Sequence, residues 1–287
     1  MRPEQTSLLY LHTAVLLFGG TALFSKLINL SALDITVYRT AVAFIALTAL
    51  LIVQRKRIKL KNNQDYLVAT LLGVVVGLHW LTYFAGMQMA GITIGIIAFF
   101  TYPVITVFLE PLFTKKQILK KDIVCAIVVL SGIYLLVPEA SLGNQITLGI
   151  VTGVSSGALF SLRNLLQKRY FSHYGGPQTM LYQTLVASVM LCAFVSVPPV
   201  ELEQIDLYLI LLAGVVFTAL PHALFSSSLR HLSATTAGLI SCLQPLYATL
   251  LAFILLLETP SVATLIGGLL VVSTAFFETW SVTRKKV

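Results

Sequence analysis

Apolar runs of about 20 residues follow one another along nearly the whole chain, each long enough to cross a hydrocarbon core of about 30 Å. This feature constrains the fold most. A backbone in lipid must close its own hydrogen bonds, and a helix does so within a single run. Ten such runs are counted, at residues 7–28, 33–53, 66–88, 91–113, 120–137, 146–169, 178–197, 207–229, 233–257 and 260–281. The reading is an all-α polytopic membrane protein. Charged residues make up only 10% of the chain, against about 25% in a soluble domain. Mean hydropathy is +0.90. The first run is too long for a signal-peptide core and lacks a small-x-small cleavage site, so it is read as a retained helix. Cys125, Cys192 and Cys242 stand alone inside apolar segments, which implies neither a disulfide framework nor a metal site.

A net charge of +8 would suggest nucleic acid, but its placement argues otherwise. Arg55, Lys56, Arg57, Lys59 and Lys61 follow the second run, and Lys115, Lys116, Lys120 and Lys121 follow the fourth. Lys168, Arg169 and Arg230 close the sixth and eighth, and Arg284, Lys285 and Lys286 end the chain. The alternate loops hold Glu139, Glu201, Glu203, Asp206 and Glu258. Basic loops stay on the cytoplasmic side. The pattern therefore predicts a multi-pass protein of the inner (plasma) membrane with both termini cytoplasmic, and an even number of spans.

The chain also repeats itself. Ala22-Leu23-Phe24-Ser25 recurs as Ala158-Leu159-Phe160-Ser161, and Tyr38-Arg39-Thr40 is echoed by Tyr182-Gln183-Thr184. Pro103 answers Pro245, and Ser131 answers Ser273, both 142 positions later. A unit of five spans is odd, so the second copy enters the membrane from the opposite side. The expected halves are 1–138 and 139–287, two inverted five-helix repeats. Pro103 and Pro245 each interrupt an apolar run. Proline removes a backbone hydrogen bond and kinks a helix, so both are candidate hinges. Inverted repeats with interrupted helices in matching places point to a secondary transporter with its site near the bilayer midplane.

Leu78-His79-Trp80 with Tyr83-Phe84, then Phe100-Thr101-Tyr102-Pro103-Val104, then Leu243-Gln244-Pro245-Leu246 and Leu257-Glu258, resemble the EamA-type branch of the drug/metabolite transporter superfamily. The likeness covers nearly the whole chain. It implies a ten-helix transporter with pseudo-two-fold symmetry and a central cavity, moving small metabolites, often amino acids or related compounds, commonly outward. In one place the chain departs from the family. An acidic residue often ends both the fourth and ninth spans. Here Glu258 ends the ninth, but Lys116 stands at the matching position of the fourth, and Glu110 comes nearly two turns earlier.

The candidate site residues follow from polarity at membrane depth. Ionisable groups there usually face the bundle interior. His79 and His222 lie near mid-span and titrate near neutral pH. They are expected to contact the solute or a proton, or else to bond between helices. His12, nearer the end of its run, reads as structural. Trp80, Tyr83, Tyr102 and Gln244 flank the histidines or precede the prolines, and join the expected solute-binding set. Glu110, Arg39 and Arg163 are candidates for coupling or ion pairing. Glu110 and Arg163 lie at similar depth and are free to pair. Arg39 is expected to pair with Asp34 or Glu258 rather than with a solute. Gly91, Gly95 and Gly238 permit close helix approach. The third, fourth, eighth and ninth runs are expected to line the cavity, with the fifth and tenth peripheral.

The function expected is secondary transport of a small metabolite by alternating access, in the direction of export. The competing class is a polytopic enzyme acting on a lipid-like substrate, but no acidic or histidine motif lies near an interface. No filter sequence suggests a channel, and no phosphate-binding loop suggests a primary pump. The expected partners are a small solute, the bilayer and, in a coupled mechanism, protons. Nucleic acid, cofactor and metal are not expected, and the chain is expected to act as a monomer.

Overall fold

The computed structural model describes residues 2–114, 117–135, 144–247, 250–251 and scattered positions from 262 to 280. Lys115, Lys116, Glu139, Glu258 and most of the tenth run lie outside the described residues. Helix dominates, and no strand occurs among the described residues. In chain order the helices are α1 (Pro3–Thr21), α2 (Phe24–Leu27), α3 (Ala32–Val53), α4 (Asn63–Ala90), α5 (Ile92–Phe99) and α6 (Tyr102–Thr114). They continue with α7 (Lys120–Leu135), α8 (Asn144–Leu166), α9 (Gly176–Leu191), α10 (Gln204–Gly214), α11 (Leu220–Ser228) and α12 (Ala234–Ser241). Among the described residues, Pro3–Leu27, Ala32–Val53, Asn63–Ala90 and Gln204–Ser228 are long and apolar enough to cross a membrane.

Local chemistry sets several of the ends. Ser31 starts α3, its hydroxyl accepting from the Asp34 backbone N–H at 3.1 Å, which satisfies one of the amides a helix start leaves open. Asn62 and Asp65 bracket the start of α4 in the same way. Gly91 sits at φ +86, a conformation that side chains with a Cβ resist, and turns α4 sharply into α5.

The apolar runs read as single spans contain breaks. The first pauses at Ala22 and Leu23 between α1 and α2. The fourth pauses at Phe100 and Thr101, between α5 and α6. The ninth pauses at Cys242 and Leu243, and helix resumes at Gln244. The last two pauses lie 142 positions apart. In each, the proline follows within the first turn of the resumed helix, where its missing N–H is tolerated.

Polarity is arranged inside out. Ile45, Leu67, Leu112 and Phe276 face outward, each at least 65% exposed, while Arg39, Thr40, Arg163, Gln183 and Thr184 are fully buried. Lipid is an adequate solvent for the first set, and only protein partners serve the second. The halves do not sit side by side. α4 packs chiefly on α8, α3 on α9 and α1 on α11, so one apolar cluster runs from Leu8 to Leu243.

The two ends of the bundle differ in charge. Arg169 donates to the Phe113 carbonyl, Lys168 to that of Leu229, Arg230 to that of Ser172, and Gln178 to that of Ile58. The basic loops therefore share one end. At the other, Asp34 accepts from Ser196 N–H and Asp206 from Asn29 N–H.

Candidate functional site

Where the broken helices meet the long ones, the packing opens into a cavity of about 410 Å³, counted together with the open space at its mouth. Its wall draws on α1, α3, α4, α5, α6, α8, α11, α12 and the resumed helix after α12. The expectation that four runs line it is too narrow. Phe18 and Thr21 from the first run, Arg39 from the second and Phe160 from the sixth also border it.

All six residues expected to bind a solute border this space: His79, Trp80, Tyr83, Tyr102, His222 and Gln244. Trp80 donates its indole N–H to His222 Nε2 at 3.2 Å. Indole can only donate, so Nε2 is the acceptor and the neutral ring carries its proton on Nδ1. That Nδ1 is buried and has no partner among the described residues. Phe18 meets the same imidazole edge-on at 4.6 Å. His79 Nδ1 lies 3.1 Å from the Ser156 carbonyl and 2.8 Å from the Ser156 hydroxyl. A carbonyl only accepts, so here too Nδ1 carries the proton. The hydroxyl in turn donates to the His79 carbonyl at 3.0 Å, which ties α4 to α8. Gln244 donates weakly to the Tyr83 hydroxyl at 3.4 Å, and the Tyr102 hydroxyl donates to the Gly238 carbonyl at 3.3 Å.

At the first break, neighbouring helices receive the freed polarity. The Phe99 carbonyl, left open by the proline at 103, points at Gly157, where a Cβ would lie only 2.7 Å from it. The Tyr102 carbonyl accepts from the Thr106 hydroxyl at 2.8 Å and the Ser161 hydroxyl at 2.9 Å. Part of the polarity around the first break is thus met by α8.

The ion-pair expectations need correcting. Asp34 does not pair with Arg39. It accepts from the Ser31 hydroxyl at 2.7 Å and from Ser196 N–H. Five helical positions separate the two residues, which puts them on different faces. Glu110 and Arg163 do not pair either. Glu110 reaches across to the start of α12, accepting from Ala234 N–H at 3.2 Å and Thr235 N–H at 2.9 Å. Ser233 caps the next amide, that of Thr236. A helix start carries partial positive charge and favours this carboxylate. Arg163 is fully buried among neutral groups. Nε donates to Gln183 at 2.7 Å, Nη1 to Asn164 at 3.0 Å, and Nη2 to the Ser226 hydroxyl at 2.8 Å and the Met180 sulfur at 2.9 Å.

Arg39 is different. It is fully buried at the cavity wall, stacked on Trp80 at 5.0 Å and Phe84 at 4.6 Å. Nη1 donates to the Thr218 hydroxyl at 3.1 Å. Nε and Nη2 have no hydrogen-bond partner among the described residues. Thr218 sits in a wide π-helical turn, Val215–Ala219, between α10 and α11, and donates back to the Ala213 carbonyl five residues earlier. Such turns often serve to re-aim side chains at functional sites.

Sequence reasoning did not reach Phe18, Thr21, Phe99, Phe160, Ser241 or Thr218. A signal for some of them existed. The 142-residue offset of the prolines, carried along the chain, pairs Trp80 with His222, Phe99 with Ser241 and Tyr102 with Gln244. All six border the cavity.

The chain is similar to an uncharacterized transporter, YxxF, of Bacillus subtilis (strain 168), at 24% identity over 87% of this chain and 82% of that one. It is similar to protein PecM of Dickeya dadantii (strain 3937) at 27% identity, over 67% of this chain and 66% of that one. A solved crystal structure superposes with a TM-score of 0.80 at 16% identity, covering 95% of this chain and 98% of the other, which shows a shared fold. The model of the EamA-like transporter family matches twice, at residues 5–137 and 147–279. The two matches are offset by 142 residues at both ends, the interval that separates the prolines, the helix breaks and the paired cavity residues. With nearly all of its length inside these two matches, this membrane transporter belongs to the EamA-like transporter family.

Proposed function

We propose that the protein is a secondary transporter that moves a small metabolite by alternating access, with the cavity between the broken helices as its solute site. One observation carries the reading. Two helices pause at matching places, Phe100–Thr101 and Cys242–Leu243, and both pauses adjoin the cavity. Backbone at membrane depth departs from helix only where protein or a cavity receives it, and interrupted helices of this kind surround transport sites. The proposal includes ten spans in two inverted repeats divided near residue 138, operation as a monomer in the inner membrane, and export as the direction. Both termini are placed in the cytoplasm, which the gathering of basic loops at one end of the bundle supports. The family resemblance points to amino acids or related compounds as cargo. Solute binding is assigned to His79, Trp80, Tyr83, Tyr102, His222 and Gln244, and hinge motion to Pro103 and Pro245.

Alternating access makes a geometric demand that cysteine chemistry can check. In a background with Cys125, Cys192 and Cys242 replaced by Ser, Ser241→Cys should react with a membrane-impermeant thiol reagent from either side of inverted and right-side-out vesicles, though not from both at once. Reaction from neither side overturns the site. Uptake into sealed vesicles, with and without a proton gradient, then reports coupling. Tyr102→Phe, Gln244→Ala and His79→Ala should each lower uptake at equal membrane abundance. Pro103→Ala and Pro245→Ala should slow turnover more than they weaken binding.

A further inference from the structure

The fully buried side-chain atoms without a partner at the cavity share one chemical sense. They are Arg39 Nε, Arg39 Nη2 and His222 Nδ1. The guanidinium nitrogens are donors, and the indole bond to Nε2 makes the His222 Nδ1 a donor as well. The cavity wall also holds acceptors, His79 Nε2 and the Gln244 amide oxygen, but among its side-chain atoms wholly cut off from solvent only donors lack a partner among the described residues. A buried donor without a partner is costly, so these three positions call for acceptors from a ligand.

The arrangement of the Arg39 donors is more specific. Thr218 occupies Nη1. The two free N–H groups, on Nε and Nη2, lie side by side along one edge of the planar guanidinium. That edge grips a carboxylate through two parallel hydrogen bonds. Trp80 and Phe84 stack on the guanidinium and fix its plane. The second buried guanidinium, Arg163, has all three nitrogens engaged and offers nothing further. One free fork accommodates one anionic group. Beyond it the wall is largely aromatic, with Phe18, Phe99 and Phe160 beside the neutral polar groups of Thr21, Ser241 and Gln244, and no carboxylate borders the cavity among the described residues.

We infer that the solute is a small monocarboxylate with an apolar body and no ammonium group, its carboxylate held by the Nε and Nη2 edge of Arg39. The inference rests on the cavity being the transport site, and of the amino acids and related compounds that the family resemblance suggests it keeps the related carboxylates and excludes the amino acids themselves. The bound carboxylate satisfies both orphan donors of Arg39, and His222 Nδ1–H adds a third donor to the same wall. An ammonium group would enter a wall that carries a cation and no counter-charge.

The chain supplies its own reporter. It has two tryptophans, so Trp280→Phe leaves Trp80, at the cavity, as the sole indole. The detergent-solubilised full chain is titrated with 3-phenylpropionate, phenylalanine and 2-phenylethylamine, which share a body and differ in charge. 3-Phenylpropionate should shift Trp80 emission saturably, with the other two at least about tenfold weaker, as expected for hydrogen bonds to a charged group. Arg39→Gln should weaken 3-phenylpropionate by a similar factor. Arg39→Lys, which keeps the charge without the fork, should recover only part. Tightest binding by the amine or the zwitterion overturns the inference, as does an unchanged midpoint in Arg39→Gln or the absence of saturable change with any probe. If Arg39→Gln does not fold, the ranking of the three probes on the parent chain decides. Two-sided labelling of Ser241→Cys stands apart from these titrations. Labelling without carboxylate preference leaves the transporter reading in place and removes the cargo assignment.

Discussion

Two arginines are buried in this bundle without a carboxylate partner among the described residues, and they are treated in opposite ways. Around Arg163, side chains from α8, α9 and α11 and the π-helical turn at Gln167–Phe171 close into a network. Gln183 accepts from the guanidinium and donates to Gln167, whose own amide reaches the Ser226 carbonyl. Around Arg39 there is one threonine, two aromatic faces and two idle donors. The first charge is spread over neutral dipoles that hold three helices together. The second is left incomplete at a cavity wall. Burial alone therefore does not separate the structural role of Arg163 from the solute contact proposed for Arg39. The state of their hydrogen bonds does.

The contrast can be broken at its structural end first. Arg163→Ala strands the acceptors on Gln183 and Asn164, and it should cost about 3 kcal/mol or more. Thermal unfolding in detergent reads this as a large fall in Tm, and an unchanged Tm would mean the network is decorative. Arg39→Gln should stay within about 1 kcal/mol of the parent, since it gives up one neutral hydrogen bond while relieving a buried charge. Comparable destabilisation by both changes would erase the distinction. Glu110→Gln tests a third arrangement, an anion satisfied by a helix start. Weakening of the α12 cap by about 1 kcal/mol is expected, read as faster thiol labelling of Thr235→Cys. The smallest effect belongs to Ser156→Ala, which removes the hydroxyl between the His79 ring and the His79 carbonyl while leaving the Nδ1–H bond to the 156 carbonyl, at a cost of about 1 kcal/mol or less. It should also broaden the pH profile of uptake if His79 orientation matters to the cycle.

How far the sequence carried depended on whether a property was local. Apolar length, the two prolines and their 142-residue interval are local, and they led to helices, to interrupted segments and to Tyr102 and Gln244 beside the cavity. Asp34 and Arg39 looked like a pair because they are close in sequence, yet helical geometry already set them on different faces. The partners of Glu110 and Arg163 were out of reach for another reason. They depend on α6 lying against α12 and on the long Arg163 side chain reaching α9 and α11, and such neighbourhoods have no marker in composition. Thr218 was hidden further still. Its aim depends on a single wide turn in an otherwise regular apolar run, and nothing in Val215–Ala219 announces it.

The Trp80–His222 bond joins two copies of the same position in the repeated unit, and a hydrogen bond needs unlike partners. A duplicated first half would set indole against indole, two donors with nothing to receive them. The bond therefore depends on the two copies differing at this position, and a symmetric dimer of identical subunits with tryptophan there would lack the acceptor it needs.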